Sequence, residues 1–215
     1  MKNIYLFLML FLPWLVLAQN DKFTYGVKGG SAFSNLGTDS NGGSPRIKWT
    51  YFFGGFAEYR HNEKFAFQAE LLYNRIRSNY RPPYDGRRRA YAYNKDIRLQ
   101  SIVMPLSIKY YEGKSAAFVV GMNMGYIARA TAQSDKITNF YGTHDSFGPI
   151  TTQKQIITNN IKNTYLTAFI GLEHHFSNRI FIEARLHLFG SSISKDDEKR
   201  FTPIIDHFIG VGYKF

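Results

Sequence analysis

Residues 65–77 read FAFQAELLYNRIR. Side chains on a β-strand alternate between two faces with period two. Phe65, Phe67, Ala69, Leu71 and Tyr73 therefore share one face, and Gln68, Glu70 and Asn74 share the other. The same division recurs along the chain. Residues 98–111 set Ile102, Met104, Leu106, Ile108 and Tyr110 against Ser101, Ser107 and Lys109. Residues 116–129 set Phe118, Val120, Met122, Met124 and Tyr126 against Gly121, Asn123, Gly125 and Arg129. Residues 179–190 set Ile180, Ile182, Ala184, Leu186 and Leu188 against Glu183, Arg185 and His187. Stretches at 24–36, 49–60, 164–175 and 204–215 complete the set, the first of them with the weakest alternation. Charges concentrate on the parity that carries glycines, and the clean parity is aliphatic and aromatic. A soluble lipid-binding barrel would reverse this, with apolar residues inside and polar ones outside.

Connections between these stretches alternate in length. The short ones lie at 61–64, 112–115 and 175–178, and the long ones at 37–48, 79–95, 134–162 and 194–202. Tight turns on one side and long loops on the other, with an even strand number, define an up-and-down barrel of the bacterial outer membrane. The pattern predicts an all-β, closed, antiparallel transmembrane β-barrel of about eight strands, each long enough for the roughly 9–11 residues a tilted span needs. Closure is forced by the solvent, because hydrocarbon offers no partner to a free N–H or C=O on a sheet edge. A barrel of this size is just wide enough to be filled by side chains. The expected interior is a polar plug, with room left by small inner residues such as Gly54, Gly121, Gly171 and Gly212. Pro105 falls on the inner parity, and because proline cannot donate to the ladder a bulge is expected there.

Composition agrees. Of 215 residues 17% are aromatic, with 15 Tyr and 19 Phe, an excess that girdles at the two membrane interfaces would absorb. Cysteine is absent, so disulfides hold nothing together. Lys2 followed by the apolar run 4–17 and Val16-Leu-Ala18 reads as a signal peptide over 1–18 with cleavage after Ala18, leaving 19–215 as one barrel domain. The net charge of +11 is spread over loops and strand interiors. On an exported chain it points to lipid head groups and lipopolysaccharide rather than nucleic acid.

Several motifs together resemble a known family. Gly26-Val-Lys-Gly-Gly30, Phe67-Gln-Ala-Glu-Leu-Leu-Tyr73, Pro105-Leu106, Gly171-Leu-Glu173 and Gly210-Val-Gly-Tyr-Lys-Phe215 are similar to the PorT-like outer-membrane β-barrels common in Bacteroidetes. The resemblance covers the whole of 19–215. It implies an outer-membrane barrel without catalytic residues, and it raises a role as an accessory subunit of a secretion or envelope-assembly machine beside the plainer structural or binding role.

Candidate site residues follow from the faces. The inner acids Glu58, Glu70, Glu173 and Glu183 and the inner bases Lys28, Lys109, Arg129 and Arg185 are expected to form a lumen network, since buried charges must be paired to be tolerated. His187 is expected to belong to it. His174 and His175 are neighbours on a strand and point to opposite faces, so they do not share a metal. Arg81, Arg87, Arg88 and Arg89 crowd the second long loop, which makes it a candidate contact for phosphates or an acidic partner. The loop 134–162, rich in Thr, Asn, Gln and Ser, is the best placed to carry binding specificity. Tyr213 and Phe215 lie two apart on the lipid face. They are a candidate signal for the barrel-insertion machinery, which would add this strand to its own open edge. No motif for a nucleophile, a metal or a cofactor is present, so the reading is a monomeric non-enzyme without cofactor. It would meet lipid, lipopolysaccharide, the insertion machinery and an envelope protein partner through its outer loops. A lipid-modifying enzyme is the remaining alternative.

Overall fold

A computed structural model of the chain describes residues 22–38, 45–46, 48–80, 95–137, 150–195 and 201–215. The segment read as a signal peptide and the arginines 81, 87, 88 and 89 lie outside these residues. The strands are β1 (Phe23–Thr38), β2 (Pro45–Arg46), β3 (Lys48–Arg60), β4 (Phe65–Tyr80), β5 (Lys95–Glu112), β6 (Ala116–Ile137), β7 (Ile150–Ile156), β8 (Thr164–His175), β9 (Ile180–Gly190) and β10 (Phe201–Lys214). Eight of them form the barrel. Each pairs antiparallel with its neighbour in the order β1-β3-β4-β5-β6-β8-β9-β10, and β10 returns to β1 with Gly30 opposite Gly210. The expected closed, all-β outer-membrane barrel is the observed one. β2 and β7 are additions at one end, β2 on β4 and β7 on β6.

The short turns close tightly. Gly113 turns β5 into β6 with φ of +70°, a left-handed conformation that suits glycine. Asn62 accepts hydrogen bonds through its side-chain oxygen from the N–H groups of Lys64 and Phe65, at 2.9 and 2.7 Å, between β3 and β4. Ser177 does the same for Arg179 and Ile180 between β8 and β9.

From the short-turn end upward, the outer wall is apolar: Phe67, Leu71, Leu106, Ile108, Phe118, Val120, Met122, Leu172 and Val211 are all exposed. Aromatic pairs bracket it. Phe65–Tyr110 and Tyr213–Phe215 mark the short-turn rim, with centroids 5.4 and 5.8 Å apart, and Phe33–Trp49 and Tyr51–Tyr73 mark the other side. These are the girdles that aromatic composition predicts.

Beyond the second girdle the pattern inverts. Arg75, Arg77, Asp96, Arg98 and Gln100 take the outer parity, while Ile76, Ile97 and Leu99 turn inward and are buried. The lumen is therefore not one polar plug. Its upper part is an apolar core of Phe52, Leu72, Ile76, Leu99, Val103, Ile127 and Phe208, roofed by Ile161 and Ile193. At Ile76, Ile97, Leu99 and Ile127 the outer face of the strands is polar, and the chain follows the ordinary rule of an apolar interior.

Two further expectations are corrected. Pro105 produces no bulge. It stays in register opposite Asn123 of β6, and on its other side the β4–β5 ladder omits the rungs at Glu70 and Leu71 and resumes unshifted at Leu72–Val103. The missing N–H costs rungs, not register. Nor is 134–162 a plain loop. β6 runs on to Ile137 and pairs with β7, Ile137 opposite Ile150, before a 3₁₀ turn over Thr158–Asn160. Thr158 secures that turn by accepting the Ala130 N–H at 3.0 Å.

Candidate functional site

The lower lumen holds the charges in two layers. In the layer nearer the short turns, Lys109 on β5 is buried between two carboxylates, 2.9 Å from Glu58 on β3 and 2.8 Å from Glu173 on β8. The Tyr111 hydroxyl donates to Glu58 at 2.6 Å, and Lys214 on β10 stands 3.6 Å from the same carboxylate. The layer above joins Lys28 on β1 to Glu70 at 2.7 Å and to Glu183 at 2.9 Å. Arg185 on β9 completes that ring, 3.0 Å from Glu183 and forked onto Glu70 through both terminal nitrogens.

Four carboxylates thus meet four cations, Lys28, Lys109, Arg185 and Lys214, and the cluster is formally neutral. That balance lets a low-dielectric interior hold so many charges. Rings screen them from the sides. The Arg185 guanidinium lies 4.5 Å from the Phe169 centroid and the Lys109 ammonium 5.5 Å from that of Phe181, both within cation–π range.

The inner glycines make room for those rings. A side chain at Gly212 would collide with the Phe181 ring, and one at Gly125 with the Tyr165 ring. Above the charges sits a further polar layer. Asn123 donates to Thr167 at 2.9 Å and contacts His187 at 2.8 Å. Between this layer and the apolar core the enclosed hollow measures only about 10 Å³, lined by Phe52, Asn74, Val103, Asn123 and Arg185 among others, at most the room of one water.

Of the eight residues read as a lumen network, Lys28, Glu58, Glu70, Lys109, Glu173, Glu183 and Arg185 come together there. Arg129 does not. The β5–β6 ladder shifts by one residue at Gln100/Ser101, with Ser101 opposite Ile127 and Gln100 opposite Arg129. Ala128 is the extra residue, and a bulge of one residue reverses every face beyond it. Ile127 and Ala130 are both buried and Arg129 is exposed on the outer wall. Lys214, which the alternation places inward, is the member missing from the expected set. His175 packs its ring against Tyr111 and Phe181, at 5.7 and 5.5 Å, while His174 meets Phe176 on the other side of the strand. Among the described residues no cluster of His, Cys, Asp or Glu could hold a metal.

At the C-terminal edge Tyr213 and Phe215 are both exposed on the lipid face. Phe215 donates its backbone N–H to Tyr25 at 2.9 Å, the last hydrogen bond of the closing seam.

A family model described as the outer membrane protein beta-barrel domain matches residues 17–190. The chain belongs to this outer-membrane β-barrel family. The match spans all but the last barrel strand, and it fixes the location as the bacterial outer membrane. Solved structures similar to the chain include Ail, the attachment invasion locus protein of Yersinia pestis, at 14% identity and a TM-score of 0.46, covering 90% of this chain and 99% of that one. Neisserial surface protein A is similar at 14% identity and a TM-score of 0.48, covering 89% and 97%. OprG from Pseudomonas aeruginosa is similar at 12% identity and a TM-score of 0.43, covering 89% and 95%. No curated protein matches the chain.

Proposed function

We propose that the protein is a non-enzymatic outer-membrane barrel that works from its outer end, as a structural or binding protein, with its lumen closed. The observation that carries this reading is the inversion of the strands above the girdle. An apolar core of Ile76, Leu99, Ile127 and Ile161 stiffens a water-facing collar from which the long connections emerge, and loops on a rigid scaffold are where binding specificity resides. The filled lumen supports the same reading, because among the described residues the hollow between its layers is only about 10 Å³. The PorT-like motifs favour a second reading, in which the partner gripped by that end belongs to a secretion or envelope-assembly machine. Tyr213 and Phe215 serve assembly in this account, offering an aromatic strand end to the insertion machinery. Photo-crosslinking on intact cells tests the reading. Adducts are expected from positions in the long connections and not from the turns at 61–64, 112–115 and 175–178. Adducts confined to the short turns would contradict it.

A further inference from the structure

We propose that the outer wall of the barrel across β4, β5 and β6, just above the upper aromatic row, is a binding site for a phosphate group of the outer-leaflet glycolipid, lipopolysaccharide. Strand register fixes the height. Tyr73 pairs with Ile102 and Ile102 with Tyr126, forming an interfacial row across three strands. The next outward row is Arg75–Gln100–Arg129, and the one above it Arg77–Arg98–Thr131. Two residues along a strand rise about 6.6 Å. The first basic row therefore stands directly over the level at which aromatic rings mark the end of the hydrocarbon, where lipid phosphates lie.

The side chains are arranged as a receptor rather than a solvated patch. Arg75, Arg98, Gln100, Arg129, Thr131 and Lys154 surround a hollow of about 110 Å³. Asp96, the acid paired across the ladder in these rows, is already engaged. Arg77 reaches it at 2.9 and 3.2 Å, and Arg98 at 2.8 and 3.1 Å. This carboxylate holds the two guanidiniums in place at the rim. Arg75, Arg129 and Lys154 have no carboxylate partner among the described residues, and the Arg75 Nε is buried without any hydrogen-bond partner. A tetrahedral phosphate can accept from several guanidinium N–H groups at once, and such charge-assisted bonds are the strong ones. The bulge at Ala128 is what delivers Arg129 to this wall, so the feature that empties the lumen of one cation creates the third side of the site.

The proposal needs the membrane orientation of the barrel and not the binding role of the loops, so either can fail alone. The test uses the refolded full chain in lipid nanodiscs, with bisphosphorylated lipid A, dephosphorylated lipid A and inorganic phosphate as probes, and bound lipid A read by mass spectrometry. The phosphorylated form is expected to be retained about tenfold or more over the dephosphorylated one. The double variant Arg75→Gln/Arg129→Gln should abolish that preference, and Arg75→Lys/Arg129→Lys should keep part of it. Equal retention of the two lipids, or a double variant that binds like the parent, would overturn the proposal. Displacement by millimolar inorganic phosphate would overturn the lipid as its source and leave a soluble-anion site. Gel mobility before and after boiling reports folding. If the double variant does not fold, Arg129→Gln alone, at an exposed position, must lower retention several-fold, and unchanged retention would count against the site.

Discussion

Lys109 shows how a charge can be structural. It is fully buried and sits between Glu58 and Glu173, so its removal strands two buried carboxylates. Breaking a buried ion pair from one side costs about 3–5 kcal/mol. Lys109→Met is expected to lower unfolding stability in lipid by that order, measured by urea titration of the refolded barrel, and Lys109→Met/Glu58→Gln/Glu173→Gln should recover much of it. A single variant as stable as the parent would mean that the network contributes specificity only. Seven of these charges were legible from parity alone, because period two is the one strand property that burial cannot blur. Arg129 was not, since its position depends on a bulge. A sign of the bulge exists in the sequence: after Gly121, Asn123, Gly125 and Ile127 on the inner parity, the small apolar residues switch to Ala130 and Ala132.

At the scale of elements, β4 and β5 each change environment along their length. Their lower halves obey lipid and their upper halves obey water. Leu99, almost wholly buried in the upper core, tests this division. Leu99→Ala should cost about 2–5 kcal/mol, as core truncations do, and the loss should appear as faster amide exchange at 95–101 and 127–133 while the girdled lower strands stay protected. Uniform loss of protection would mean that collar and membrane barrel form one cooperative unit.

Asp96 adds a pH dependence at the same place. Burial would raise its carboxyl, but hydrogen bonds from Arg77 and Arg98 and their charges outweigh burial and hold it below its ordinary value of 3.8. A group depressed on folding contributes stability above its unfolded pKa and loses it as pH falls through the folded one. Protection of the β4–β5 ends should therefore be constant from neutral pH down to the ordinary aspartate range and fade only below it. In Asp96→Asn it should be weaker throughout. Early loss in the parent, well above that range, would contradict the bond pattern. The upper halves were harder to read from sequence than the lower ones. Leu72, Ile76, Leu99 and Val103 share a parity with Glu70, Ser101 and Lys109, and alternation alone does not say where the solvent changes. The β6–β7 hairpin was hidden for a related reason. Its polar Thr and Gln residues carry no period, because both of its faces are outside the bilayer.

At the scale of the molecule, fold and location follow from alternation, connection lengths and closure, and all three were visible in the chain. The contents of the lumen were only half visible, since polar layers below and an apolar core above fill it by different rules. The combined effect is the same at every level: charge pairs, then rings seated over glycines, then aliphatic side chains, with about 10 Å³ of enclosed space between the layers. The central claim is that this barrel is closed to solute. Planar-bilayer recording of the pure refolded protein tests it most directly. No stable conductance steps are expected from the parent. Regular, porin-like open steps from the parent protein would contradict the filled lumen and the account built on it.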